Sequence, residues 1–271
     1  MAMDDDLQRR FGGLARLYGP AGAARMRAAH VAVVGIGGVG SWAAEALARS
    51  GVGQITLIDL DNVAESNVNR QIHALSGTLG QPKVDAMAAR ISLIHPGCTV
   101  HRVEDFASPA NWPALLPAPV DALIDACDQA AAKLALAAWA LQTRTPFVTC
   151  GAAGGKRHGE RVEIADLADV THDPLLATLR ARLRQAGHIP KGQPARAGQA
   201  SGARQQGRAG GGKSGITAVF SRESVAPPDA ACAVQGDGSL NCHGFGSAVT
   251  VTATFGFCAA GWLLNKISCH P

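Results

Sequence analysis

The stretch His30-Val-Ala-Val-Val-Gly35-Ile-Gly37-Gly38-Val-Gly40 decides the fold. Its first half is a short apolar run ending in glycine, the pattern of a buried parallel strand. A GxGxxG turn follows, and Ser41 to Ser50 reads as a helix with Ser41 near its N-terminus. Glycines so spaced permit a tight turn and let the backbone approach a phosphate at the helix start. Nineteen residues past Gly40 stands Asp59, closing a second apolar strand from Gln54. A carboxylate there accepts hydrogen bonds from both ribose hydroxyls. Strand, turn, helix and acid together read as a nucleotide-binding unit rather than a glycine turn kept for packing.

Outward from this unit the alternation continues. Pro82 to His95 is expected to be a helix with Pro82 in its first turn. Thr99–Val103, Val120–Asp125 and Pro146–Cys150 read as strands, with an Ala-rich helix over Gln129–Arg144. Alternating strands and helices with short, apolar strands imply an α/β, Rossmann-like, doubly wound, mostly parallel sheet. After Gly151 the pattern loosens into a strand at Arg161–Ala165, a helix at Pro174–Ala186 and a strand at Ile216–Ser221. Gly246 to Leu264 carries no charge and approaches a membrane span in length. Its threonines and glycines suit a packed core element instead, and its start reads either as an alternating strand or as a small-residue helix. Residues 1–29 read as a helical arm.

The chain has 271 residues, enough for one large domain or one with an appendage. At 47% apolar and 17% charged it is too apolar for a disordered chain. The net charge of +4 suggests an anionic partner, but five cations (Lys191, Arg196, Arg204, Arg208, Lys213) and no acid fall in 191–215. The remainder is at −1. That stretch lacks large apolar residues and is expected to be a flexible loop. It serves either as a solvated linker or as a non-specific contact for RNA phosphates; with no aromatic in it, base stacking there is unsupported. Seven cysteines contain no CxxC pair, which supports neither a disulfide framework nor a paired-cysteine zinc site. Met1 to Arg10 lacks the apolar stretch of a secretory signal, so a cytoplasmic location without membrane attachment is expected.

A plain dinucleotide unit moves on soon after its acid. Here a polar loop follows, Asp59-Leu-Asp61-Asn-Val-Ala-Glu-Ser-Asn67-Val-Asn69-Arg70-Gln71, then Lys83 at a helix start and Asp128 after the fourth strand. Strand ends on one edge of such a sheet converge on the ligand. Arg70 and Lys83 bring two cations to a polyphosphate, and Asp128 a carboxylate suited to Mg²⁺. That set serves phosphoryl-group chemistry, where positioned charge does most of the work, and hydride transfer does not need it. His73 stands either near the site as an acid or base, or in the structure as a satisfied core histidine.

These segments, with Gly80-Gln-Pro-Lys83 and Asp125-Ala-Cys-Asp128, resemble the ubiquitin-activating-enzyme-like adenylating family over residues 9 to about 150. The resemblance implies a nucleotide-binding adenylation core over 30–150, with 151–271 continuing the same domain. It implies ATP contacts from Gly35, Gly37, Gly38, Gly40, Asp59, Asp61, Asn67, Arg70, Gln71 and Lys83. Asp59 then holds the ribose, Asn67 and Arg70 meet the phosphates, Lys83 stabilises transition-state charge and Asp128 holds Mg²⁺. An N-terminal arginine, Arg16 or else Arg10, completes the site from the partner of a homodimer.

Members that activate small sulfur-carrier proteins commonly hold zinc in two CxxC pairs, absent here, so no zinc is expected. Arg10-Phe-Gly-Gly-Leu-Ala-Arg16-Leu-Tyr-Gly19, Asn69-Arg-Gln-Ile-His73-Ala-Leu, Asp173-Pro-Leu, Val219-Phe-Ser221 and Val251-Thr-Ala-Thr-Phe-Gly256 instead resemble the bacterial tRNA threonylcarbamoyladenosine dehydratase branch over nearly the whole chain. That resemblance implies ATP-dependent adenylation of the nucleoside's carboxylate beside the tRNA anticodon, followed by intramolecular ring closure. Because such closure has a large effective molarity, no protein nucleophile is required. Cys232 and Cys242 are then incidental thiols, or else thioester acceptors as in related activating enzymes. The competing readings are adenylation of a ubiquitin-like sulfur carrier and a non-catalytic nucleotide-sensing module serving a sulfur-transfer partner.

Overall fold

The computed structural model describes residues 2–191, 212–227 and 245–269. Most of the basic stretch, together with Cys232 and Cys242, lies outside them. Strand β1 (His30–Val34) is buried at every position, as a strand must be with neighbours on both sides and helices on both faces. It pairs in parallel with β2 (Gln54–Ile58) and β4 (Ala122–Asp125). With β3 (Thr99–Val103), β5 (Phe147–Cys150), β6 (Val162–Asp166) and β7 (Thr217–Ser221) the sheet has the order β3-β2-β1-β4-β5-β7-β6. Only β6 runs antiparallel, against β7. The Rossmann-like class and mixed C-terminal extension expected from the sequence are therefore present. Strand order reverses between β1 and β4, which opens a crevice at the carboxyl ends of the strands. β3 departs from the expected apolar strands. It is the sheet edge, and Thr99 and Arg102 are exposed there, which blunts the edge against further pairing.

Helix α1 (Ala2–Ala28) is not one straight arm. Gly19 leaves the helical region at φ 76°, ψ 160°, and Pro20 restarts the helix. Helices α2 (Gly40–Arg49), α3 (Lys83–Ile94), α4 (Ala130–Thr143) and α5 (Pro174–Gln185) fall where the periodicity puts them. Pro82 stands one residue ahead of α3 rather than in its first turn; its extended ψ of 134° leaves its carbonyl to accept from Asp85 and Ala86. The uncharged C-terminal stretch forms α6 (Val249–Cys269), a helix and not an alternating strand. Val251, Thr252, Phe255, Ala259 and Leu263 are buried, and the helix packs on α2 and α1. Among the described residues no helix is long and apolar enough to cross a membrane. One core lies between α1, α2, α3, α6 and the sheet, and a second between α4, α5 and the opposite face.

The approach of α6 to α2 is set by Gly256. A Cβ there would sit 2.5 Å from the Val39 carbonyl oxygen and 2.8 Å from both the Ala43 nitrogen and the Trp42 Cβ. Gly261, on the same helix, has nothing within 4 Å of such a carbon. Gly256→Ala is expected to cost about 1–3 kcal/mol of stability by overpacking, measured by urea unfolding. Gly261→Ala is expected to leave stability unchanged or raise it by up to about 1 kcal/mol through helix propensity.

His73 is 1% exposed, and among the described residues neither ring nitrogen has a hydrogen-bond partner. Burial first, then the charges of Lys83 and Arg90, hold its pKa down from 6.5 to about 4. The unfolded chain therefore takes up a proton near pH 6.5 that the folded chain refuses until about pH 4. Stability present above pH 6.5 is lost as the pH falls through that interval, by about 3 kcal/mol for this group alone. Urea midpoints between pH 7 and 4.5 are expected to fall less for His73→Gln than for the wild type; equal falls would exclude His73 as a source of acid sensitivity.

Candidate active site

A cleft of about 300 Å³ opens at the carboxyl edge of the sheet, lined by residues that follow β1, β2, β3, β4 and β5. Its floor is the β1–α2 turn. Gly35 has φ +84°, and a Cβ on it would meet the Ala126 carbonyl at 2.9 Å. A Cβ on Gly40 would lie 1.7 Å from the Gly35 oxygen, so this glycine lets helix and turn close on each other and does not itself line the cleft. Gly37 and Gly38 do line it. Among the described residues a Cβ on Gly37 would meet nothing within 4 Å, which leaves backbone there that a ligand can approach. Among the described residues no side chain caps the start of α2. A helix N-terminus without a cap keeps its N–H groups and dipole for an anion.

Asp59 is 6% exposed at the end of β2. Its Oδ2 accepts from the Ile36 N–H at 2.6 Å and its Oδ1 from the Asp61 N–H at 2.9 Å, which fixes the carboxylate at the turn. Burial pushes its pKa up, opposed by Lys83 and by those two N–H groups. Lys83 reaches the site from the first turn of α3. Its Nζ lies 2.6 Å from Asp61 Oδ2 and 3.7 Å from Asp59 Oδ1. The lysine is 7% exposed but the Asp61 side chain is 55% exposed, so the acid of this pair is free to turn to water while the base is not.

The loop after β2 carries Asn67, Arg70 and Gln71, all buried and all lining the cleft. The Asn67 Oδ1 accepts from the Ala64 N–H at 3.0 Å, which leaves its amide nitrogen for other partners. Arg70 Nη1 donates to the Ser66 oxygen at 2.5 Å and to Asn69 Oδ1 at 2.9 Å. The Arg70 carbonyl accepts from Trp42 Nε1 on α2 and Thr252 Oγ1 on α6, so two helices hold this arginine's backbone. Arg70 Nε and Gln71 Oε1 are buried without partners among the described residues. Orphaned donors and acceptors in a cleft are the signature of a site that a polar ligand completes.

Beyond β4, Asp128 is exposed and lines the cleft. Beneath it Asp125 is fully buried, 3.0 Å from Lys133 Nζ and 2.7 Å from Thr149 Oγ1. Burial, the largest influence, opposes the charge on Lys133, but Asp125, Cys127 and Cys150 together outweigh it and hold its pKa above the ordinary value. Cys127 also lines the cleft, its Sγ 3.0 Å from Asp125 Oδ1. Burial, then the Asp125 charge, pushes its thiol well up, the opposite of an activated thiolate.

The structure thus gathers Gly35, Gly37, Gly38, Asp59, Asp61, Asn67, Arg70, Gln71, Lys83 and Asp128 around one cleft. Arg16 is exposed on α1 and is not part of its lining. Arg10 is engaged with Asp6 and the Ile94 carbonyl. His73 is buried outside the lining. Four lining segments escaped the sequence reading: Asp105-Phe106-Ala107 after β3, Gly151 to Gly154 after β5, Leu175 from α5 and Thr252 from α6. The strand-end rule applied to every strand finds the first two. Thr252 has no local signal, because only the packing of α6 on α2 brings it there. Among the described residues no group of three or more His, Cys, Asp or Glu side chains is placed to hold a metal.

The chain is 41% identical over 268 residues to the tRNA threonylcarbamoyladenosine dehydratase of Haemophilus influenzae, covering 98% of this chain and 96% of that relative. It is similar to the crystal structure of the E. coli tRNA N6-threonylcarbamoyladenosine dehydratase in complex with ATP, at 42% identity and a TM-score of 0.81, covering 97% of this chain and 95% of that one. The complex of the same E. coli protein with AMP matches equally, at 42% identity, a TM-score of 0.81 and the same coverage. The ThiF family model matches residues 9–270, nearly the whole chain, and the protein accordingly belongs to the ThiF family.

Proposed function

We infer that this protein is an ATP-dependent tRNA threonylcarbamoyladenosine dehydratase. The observation that carries the reading is the near-full-length likeness to dehydratases solved with ATP and with AMP, the reactant and by-product of adenylation. The charges that such a transfer needs line this chain's own cleft. A tRNA substrate agrees with a reaction in the cytoplasm.

The chemistry divides into two displacements. A carboxylate is a poor electrophile because its leaving group is an oxide. Its oxygen attacks the α-phosphorus of ATP, the bond from that phosphorus to the pyrophosphate oxygen breaks, and a mixed anhydride results. The substrate's own side-chain nitrogen or carbonyl oxygen then attacks the acyl carbon, the bond to AMP breaks, and a proton is lost as the ring closes. The net change in the nucleoside is one water. Intramolecular attack has a large effective molarity, so positioning replaces a protein nucleophile. The raised pKa of Cys127, the thiol in the cleft, agrees with that.

Asp59 receives the ribose hydroxyls. The β1–α2 turn and Asn67 donate to phosphate oxygens. Arg70 and Lys83 stabilise the charge that grows on the phosphates; Lys83 does so by exchanging Asp61 for the ligand. Mg²⁺ commonly takes one or two carboxylates and fills its remaining positions with phosphate oxygens and water. Asp128, an exposed carboxylate at the cleft, fits that donor set. When bound, the ion neutralises phosphate charge and aids pyrophosphate departure. Arg16 completes the site of a second copy in a homodimer on this reading; its exposure, outside its own chain's cleft, supports that role.

The test is incubation with ATP, Mg²⁺ and tRNA bearing threonylcarbamoyladenosine, following AMP release and nucleoside mass. AMP release with loss of one water from the nucleoside is expected; no AMP and no mass change overturns the reading. Arg70→Ala and Lys83→Ala are each expected to lower the rate by about 10²–10³-fold, the usual effect of removing one positioned charge-stabilising group. The double variant Cys232→Ser, Cys242→Ser is expected to retain ring closure in the same assay, and abolished closure would restore a thioester route.

A further inference from the structure

We propose that Asp173 is a positioning residue for the acyl half of the reaction, fixing the wall of the cleft against which the activated carboxyl sits. The proposal rests on the dehydratase reading. Its starting point is a carboxylate that serves two elements at once. Asp173 is 3% exposed. Its Oδ1 accepts from the Leu176 N–H at 3.0 Å and caps α5, while its Oδ2 accepts from the Ala152 N–H at 2.9 Å in the loop after β5. The contact is close enough that a Cβ on Gly151 would lie 2.0 Å from Asp173 Oδ2. The preceding residue, His172, is held at φ 58°, a left-handed conformation that costs a non-glycine residue energy and persists only where its surroundings impose it.

That loop forms one side of the cleft. Gly151, Ala152, Ala153 and Gly154 line it, and none carries more than a methyl group. The distance from wall to ligand is therefore a backbone distance, with no flexible side chain to take up error. Leu175, in the first turn of α5, lines the cleft beside them, so Asp173 ties two parts of the same wall. The loop is braced again further along. Lys156, 2% exposed, donates from Nζ to the Ser221 carbonyl at 2.9 Å, and the Arg157 and His158 N–H groups donate to the Glu223 carboxylate.

The topology says which half of the reaction this wall meets. Asp59 ends β2 and the phosphate turn follows β1, so ribose and phosphates run from β2 towards β1. The crevice then leaves the ends of β4 and β5 for the carboxylate that attacks the α-phosphorus. A wall misplaced there degrades alignment of the acyl group while leaving the nucleotide's own contacts intact. Misplacement of about 1 Å costs roughly 10²-fold in rate.

The two hydrogen bonds are separable by substitution. Serine caps helices well but is one bond too short to span both the Leu176 and the Ala152 nitrogens. Asp173→Ser is therefore expected to keep most of the thermal stability, to bind ATP within about twofold of the wild type by titration, and to lose about 10–100-fold in kcat for AMP release with modified tRNA. Asp173→Asn, which keeps the shape and one strong acceptor, is expected to recover part of that loss. Leu179→Ala, which destabilises the same helix from its buried face, is expected to keep kcat at temperatures where it is folded. Wild-type kcat in Asp173→Ser overturns the proposal. So does an equal loss in Leu179→Ala, or a loss of ATP affinity as large as that of kcat. Absence of turnover by the wild-type protein overturns the dehydratase reading and this proposal together, whereas an active wild type with an unaffected Asp173→Ser overturns only the second.

Discussion

The buried pair of Asp125 and Lys133 is the constraint on which the active edge of the sheet depends. Both side chains are wholly shielded from water. Asp125 takes hydrogen bonds from Lys133, from Thr149 on β5 and from the Cys127 N–H, while Lys133 also donates to the Cys150 carbonyl. The ends of β4 and β5, the start of α4 and the turn leading to Asp128 are thereby referred to one charge pair. Such a pair adds little net stability over a well-packed apolar replacement, because desolvation consumes most of its Coulomb energy. What it provides is direction. An apolar contact tolerates sliding, but a carboxylate with donors on three segments has one arrangement that satisfies them all. The turn bearing Asp128 and the loop bearing Gly151 to Gly154 flank this pair, so the cleft inherits its precision.

The same economy of charge governs the rest of the cleft. The chain's excess of cations falls in one stretch between 191 and 215, away from the motifs, and the remainder is slightly acidic. The cations that line the cleft are instead a few placed groups. Arg70 is tethered by its own backbone to α2 and α6 and by Nη1 to Ser66 and Asn69. Lys83 is held by a partner, Asp61, that is far more exposed than itself. Both cations are thus nearly preorganised, and little conformational entropy remains to be lost when a polyphosphate arrives.

Much of this was legible in the sequence. Period and punctuation marked the strands and helices, because buried parallel strands are short apolar runs and the glycine turn has a fixed place between the first strand and its helix. The cleft's polar set was legible for the same reason: residues just past strand ends share one edge. What local pattern did not disclose is what depends on contact. Gly40 reads like a ligand glycine, yet it serves the closure of α2 on Gly35. Lys83 reads as a free cation, but its ion pair with Asp61 exists only once α3 docks beside β2. Thr252 and the reach of α6 into the site are tertiary facts with no signature of their own. β3 reads as another core strand because its two valines, Val100 and Val103, do not reveal that only one neighbour will pair with it.

The position of α6 in the chain has a consequence for how the protein comes into being. Asn69 bonds to the Ser247 carbonyl and the Arg70 carbonyl accepts from Thr252, contacts that span 178 and 182 residues. Gly256 packs directly behind the phosphate turn. During synthesis the glycine turn, Asp59 and Arg70 emerge early, but the helix that covers α2 emerges after all the strands. Until it docks, the buried face of α2 and the Arg70 backbone lack their partners, and the half-made sheet exposes apolar surface of the kind that associates wrongly. A nascent chain of this protein therefore carries a recognisable nucleotide motif long before it has a nucleotide site. Thr252 joins the cleft's lining, and the Arg70 backbone gains its last partner, only when α6 docks.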